Sequence, residues 1–494
     1  MGEKAFTRGA GILLSITSLP SEYGMGTLGN AACSFVDLLV DLRQKYWQIP
    51  QFDETDCIDE TYQSYSVFAG NPYLIDLGAL ITEGLVTKEE VRFFEGLKKR
   101  HIDYKSVCKK HFQVLEKAYG RFDCSGKAFT DFCEANKEWM DDYSFFMFLK
   151  TFSENAEWFH WDGSLRNPNS DTMKKYGEKY AKQIGFWKFC QYQFFSQWNS
   201  LKKYANTRGI RIIGELPLYA KYDSADVWAH RELFEIDADG VLQVTASCPY
   251  GAAKDAHHRH PVPLYNWERM EKDNFSWWQK RIKSAAAMFD VLCIEDFSDI
   301  VKFYAEPLES SPEKSGKWHK GPGRKFTDVI EQASKNCKFF VGNLGTVLPG
   351  AKRLAAKMGW PVVRILPEAF NGNTADENLP SNYTDTKVVA YAGISGNMSM
   401  AGFFRDKTEY ELAFLYEYLG IASKEEISDS IIRLAYSSVA DVVIMRMRDI
   451  LNPEWDNGTG LSVLQEVFQW GTGEDGLTED RRAWLRTLAA IYRR

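Results

Sequence analysis

The side chains best suited to chemistry fall in two stretches of this chain. Cys293-Ile294-Glu295-Asp296-Phe297-Ser298-Asp299 places three carboxylates after an apolar run, and Asp255-Ala256-His257-His258-Arg259-His260 adds a fourth with three imidazoles. Carboxylates serve as proton carriers or nucleophiles, and with imidazoles they suit a borderline metal. Histidines at i, i+1 and i+3 of a loop have no fixed ligand geometry, so solvent-exposed loop histidines and no metal is the simpler expectation. A lone carboxylate such as Glu295 achieves little without an acid partner. The nine cysteines, from Cys33 to Cys337, include no C-x-x-C pair, and Cys293 has no basic neighbour in sequence. They read as reduced, buried, inert thiols of a cytoplasmic protein.

Short buried strands must position these groups. Gly9 to Ile16 is an apolar run closed by a Ser-Leu-Pro turn, the pattern of a parallel strand buried on both faces. Helical spacing follows through Ala31, Cys33, Phe35, Leu38 and Leu42, then a second strand-like run from Tyr46 to Pro50. The rhythm returns at 210–214, 289–294, 338–342 and 387–391, with helical patterns between, Phe275 to Ala287 and Glu409 to Leu419 among them. These runs should end just before Glu215, Glu295, Gly342 and Gly393. From about 84 to 205 the texture is charged, aromatic and helical, and Thr87 with Glu90 makes a capping box. Ser423 with Glu426 marks another helix start. So many parallel-type strands over so long a chain predict an α/β fold, a (β/α)8 TIM barrel, with 1–494 one unit and 84–205 a mainly helical insertion.

Composition narrows the function. The 494 residues are 45% hydrophobic and 26% charged, with 60 Lys+Arg against 67 Asp+Glu for a net charge of −7. A mildly acidic chain without a basic block is a poor partner for nucleic acid. No apolar run is long enough for a spanning helix, and Met1 to Phe6 lacks the apolar core of a secretory signal.

Four blocks carry a family resemblance. They are Thr17-Ser18-Leu19-Pro20 with Tyr23-Gly24; Tyr62-Gln63-Ser64 with Phe68 to Asp76; Ile212 to Tyr219 with Asp223 to Ala229; and Pro263-Leu264-Tyr265-Asn266-Trp267. In this order, over nearly the whole chain, they resemble amylomaltase, the 4-α-glucanotransferase of glycoside hydrolase family 77. The resemblance implies a (β/α)8 barrel with helical subdomains, no cofactor, and a cleft for α-1,4-linked glucose chains. It also implies retaining transfer through a covalent glucosyl-enzyme, which needs a carboxylate nucleophile and a carboxylic acid about 5–5.5 Å apart.

The chemistry departs from that pattern. The family's R-I-D-H-F-R-G is here Cys293 to Asp299, so the nucleophile position is Glu295, one methylene too long, with Cys293 for the arginine and Asp296 for the histidine. The acid in A-E-D-L-G falls at Gly342 of Val341-Gly342-Asn343-Leu344-Gly345. The third carboxylate, in Y-T-G-T-H-D-N, falls at Gly396, with Ser395 for its histidine. Over the cleft, G-V-P-P-D-Y-F becomes Ser247 to Ala253, a tryptophan position becomes His260, and L-P-H-N-Y becomes Leu379-Pro380-Ser381-Asn382-Tyr383. The frame holds on both sides of these losses. The resemblance assigns substrate contacts to Tyr62, Ser64, Glu215, Asp223, Trp228 and Asn397; most other aromatic residues read as core. The expectation is a degenerate family member that binds α-1,4-glucan weakly without turnover. A rearranged active transferase and a scaffold that no longer binds sugar are the alternatives.

Overall fold

The computed structural model describes residues 6–50, 65–96, 104–167, 170–237, 239–247, 261–308, 316–334, 337–342, 349–394, 399–451 and 477–494. Eight parallel strands close into a barrel in the order β1-β11-β10-β9-β8-β5-β3-β2. They are β1 (Gly9–Leu13), β2 (Tyr46–Ile49), β3 (Arg211–Leu216), β5 (Val291–Ile294), β8 (Lys338–Val341), β9 (Val362–Ile365), β10 (Val388–Tyr391) and β11 (Val442–Arg446). The TIM barrel expected from the sequence is the fold.

Alternation along each strand explains the apolar runs. Inward residues Ile213, Val291, Cys293, Phe340, Val389, Val442 and Ile444 fill the barrel with Phe6. Their neighbours Ile212, Leu292, Phe339, Val388 and Val443 face the helices. Both faces are thus dry, as a parallel barrel requires. Gly11 lets β1 and β2 come together, since a Cβ there would stand 2.5 Å from the Tyr46 Cβ.

Three further strands, β4 (Val244–Ser247), β6 (Lys302–Pro307) and β7 (Lys317–Lys320), form an antiparallel side sheet in the order β4-β6-β7. The described residues between Lys88 and Thr207 form helices and turns, among them Tyr104–Arg121, Lys137–Phe152 and Ala181–Thr207. The last of these buries Trp187, Phe189, Phe194 and Trp198 along its length. Thr87 and Glu90 do form the capping box. Ser423 precedes a short 3-10 turn and makes no side-chain cap, and the helix proper starts at Ile427. The neighbouring Thr408 and Glu411 form a second capping box. No helix among the described residues is long and apolar enough to cross a membrane.

Candidate active site

The C-terminal ends of the barrel strands gather the polar groups, as the fold dictates. β5 and β8 end at Ile294 and Val341, immediately before Glu295 and Gly342, whereas β3 runs through Glu215 to Leu216. Glu215 pairs in register with Cys293, and Ile294 with Val341. Strand parity then turns Glu215, Cys293 and Glu295 toward the same side.

Glu295 is held closely. The Cys293 Sγ–H donates to its Oε1 at 2.9 Å. Burial pushes the Glu295 carboxyl above the usual carboxylate range; the Cys293 hydrogen bond opposes this and the Asp296 charge adds to it. Burial also drives the Cys293 thiol well up, with the Glu295 carboxylate helping. Just past the end of β8, Gly342 has no side chain to ionise, and its Cα faces the Glu295 carboxyl: a Cβ built there would lie 3.0 Å from Oε2.

A second polar chain crosses the mouth. Tyr391 Oη donates to Gln48 Oε1 at 2.6 Å, and Gln48 Nε2 donates to Glu215 Oε1 at 2.9 Å. Gln48 and Tyr391 were not singled out as site residues from the sequence, although inward parity on β2 and β10 was a usable signal. Beyond the strand ends, Tyr219 Oη donates to Asp299 Oδ2 at 2.8 Å, and burial raises Asp299 to about 7 despite that bond. Asp296 takes up a left-handed backbone, φ 50°, at the turn between them. On the far side Arg446 Nη1 donates to the Ile394 carbonyl at 2.5 Å. Asp449 accepts from the Met400 N–H and stands against Gly393.

Two residues to which the resemblance assigns substrate contacts, Asp223 and Trp228, have partners within the chain. Asp223 Oδ2 is paired with Lys150 Nζ at 2.6 Å, and its Oδ1 accepts from the Trp158 N–H. Trp228 is only 4% exposed. Its ring stacks on Phe145 and packs on Phe146 and Trp161, and its Nε1–H donates to the Leu165 carbonyl. Both side chains therefore clamp the helical insertion to the barrel. Tyr62, Ser64, His257, His258, His260, Ser395, Gly396 and Asn397 lie outside the described residues. Among the described residues no cluster of three metal-ligating side chains occurs.

Comparison with known proteins agrees with this architecture. A profile of the glycoside hydrolase 77 family, described as 4-alpha-glucanotransferase, matches residues 14–459. The 4-alpha-glucanotransferase of Clostridium butyricum is 34% identical over 490 residues, 97% of this chain and all of that one. That of Thermus thermophilus is 33% identical over 455 residues, 90% of each chain. The structure of an amylomaltase from Streptococcus agalactiae in complex with acarbose superposes with a TM-score of 0.89 at 31% identity, covering 99% of both chains. Sequence and architecture together place this chain in the glycoside hydrolase 77 family of 4-alpha-glucanotransferases.

Proposed function

We propose that this protein binds α-1,4-glucan at the mouth of its barrel, weakly, and does not turn it over. One observation carries the reading: the position to which the resemblance assigns the general acid is Gly342, and among the described residues the carboxyl that faces it is Glu295, tied to a thiol and raised by burial. Losing a general acid alone costs about 10²–10⁴ in rate. A nucleophile displaced by one methylene adds to that, because misplacement by ~1 Å costs on the order of a hundredfold. Nucleophile, acid and ring-gripping carboxylate act as a unit, so repairing one position leaves the others broken. Binding is supported by the kept scaffold and by the acarbose held by the Streptococcus agalactiae relative. Glu215, ordered by Gln48, is the described acidic group best placed to meet a sugar hydroxyl.

The second reading is a working 4-α-glucanotransferase, favoured by full-length relatives at 30–34% identity that bear that name. Incubation with maltotriose separates the two. The first reading expects no glucose and no longer maltodextrins above background. Disproportionation that disappears in Glu295→Gln would overturn it and make Glu295 a nucleophile.

A further inference from the structure

We propose that Glu295 is a plug: its side chain fills the space that a sugar ring, or a side chain at position 342, would otherwise occupy at the barrel mouth. A glycine is kept on a strand end either for its backbone conformation or for the room it leaves. Gly342 has no left-handed φ, so conformation does not require it. Room does. A Cβ at 342 would meet Glu295 Oε2 at 3.0 Å, Oε1 at 3.1 Å and Cys293 Sγ at 3.3 Å, inside the ~3.5–4.0 Å at which non-bonded atoms attract.

The two backbones cannot slide apart to relieve such a contact. Gly342 N–H donates to the Ile294 carbonyl, and Glu295 N–H donates to the Leu216 carbonyl, both at 3.0 Å. Only the Glu295 side chain can yield, and it is fastened at its tip by the Cys293 thiol. Glu295 and Gly342 are therefore interlocked: the longer acid at one position is accommodated because the other has no side chain.

The interlock bears on ligand binding, and in this half it rests on the α-glucan reading above. Glu295 directly follows β5, so on this proposal a ring settling over the end of that strand meets its carboxyl. Seating the ring costs the Cys293 bond and the packing against Gly342. Glu295 thus sets how weakly the mouth holds sugar, and removing it opens the mouth.

Two measurements on the full chain test this separately. In a melting cycle, Gly342→Ala lowers the Tm of the parent but has little effect when combined with Glu295→Ala, because the contact is gone. Equal losses in both backgrounds would overturn the interlock. In calorimetry with maltoheptaose, Glu295→Ala binds at least tenfold more tightly than the parent. Equal or weaker binding by a folded Glu295→Ala protein, with the parent binding measurably, would overturn the plug. No binding by either protein while the melting cycle shows coupling overturns the α-glucan reading and leaves the interlock standing.

Discussion

Two of the carboxyls that this chain shields from water, Asp223 and Glu295, are housed in opposite ways. Asp223, where the helical insertion meets the barrel, faces the Lys150 ammonium, which also donates to the carbonyls of Asn155 and Ala156 and lies 5.0 Å from the centre of the Tyr65 ring. Every partner there is matched. Glu295, at the barrel mouth, has a neutral thiol for a donor, and among the described residues no cation faces it. Asp299 nearby has, among the described residues, the Tyr219 hydroxyl as its donor. A charge met by a counter-charge marks a joint. The carboxyls at the mouth are met by neutral donors instead, a thiol for Glu295 and a phenol for Asp299.

The contrast can be broken most sharply at Lys150. Lys150→Met strands Asp223 in the interior and should cost about 3–5 kcal/mol in chemical denaturation. Lys150→Met/Asp223→Leu should lose much less, and equal losses would show that the joint is not electrostatic. Asp299 comes next. Its folded value, about 7, lies above the 3.8 usual for an aspartate, so its contribution is fully present below about pH 4 and is lost as pH rises through 7. Asp299→Asn should therefore be more stable than the parent at pH 8, on the order of 1–3 kcal/mol after allowance for partial exposure. The gap should close by pH 4, and melting curves across that range that stay parallel would refute it. The smallest effect belongs to Trp228→Phe. It loses the bond to the Leu165 carbonyl, about 0.5–1.5 kcal/mol, with maltoheptaose affinity unchanged. A matching fall in affinity would return Trp228 to the cleft wall.

Those particulars show what the sequence could and could not tell. Apolar runs announced β1, β2, β3, β5, β8 and β10, because a strand buried on both faces has no polar residue to break the run. β9 escaped notice, since four residues between Pro361 and Leu366-Pro367, with Arg364 among them, look like a loop. β11 and the side sheet were likewise missed: Val442–Arg446 follows a helical stretch without a turn signal, and β7 is nearly all polar. At the site, motif positions located Glu295 and Gly342 correctly at strand ends. They said nothing of the thiol bond, which depends on side-chain geometry along one strand end, or of the contact between the two positions, which depends on the register of β5 against β8. Motif matching also tells that a residue is kept, not which way it faces. Trp228 packs and Asp223 pairs within the chain, and Asp76, in another matching block, accepts from the Ala79 N–H and the Thr27 hydroxyl to start a helix.

The barrel closes where β1 pairs with β11, Gly9 against Val442 through Leu13 against Arg446. Arg8 fastens the seam by donating to the carbonyls of Ser438, Val439 and Ala440. The two halves of that seam leave the ribosome far apart in time: at ~5–20 residues per second, β1 waits on the order of tens of seconds for β11. During that interval one side of β1 presents unpaired backbone groups, a template for any other extended chain. Newborn chains of this protein thus pass through a hazardous adolescence, and a slow stretch of translation between β10 and β11 would lengthen it.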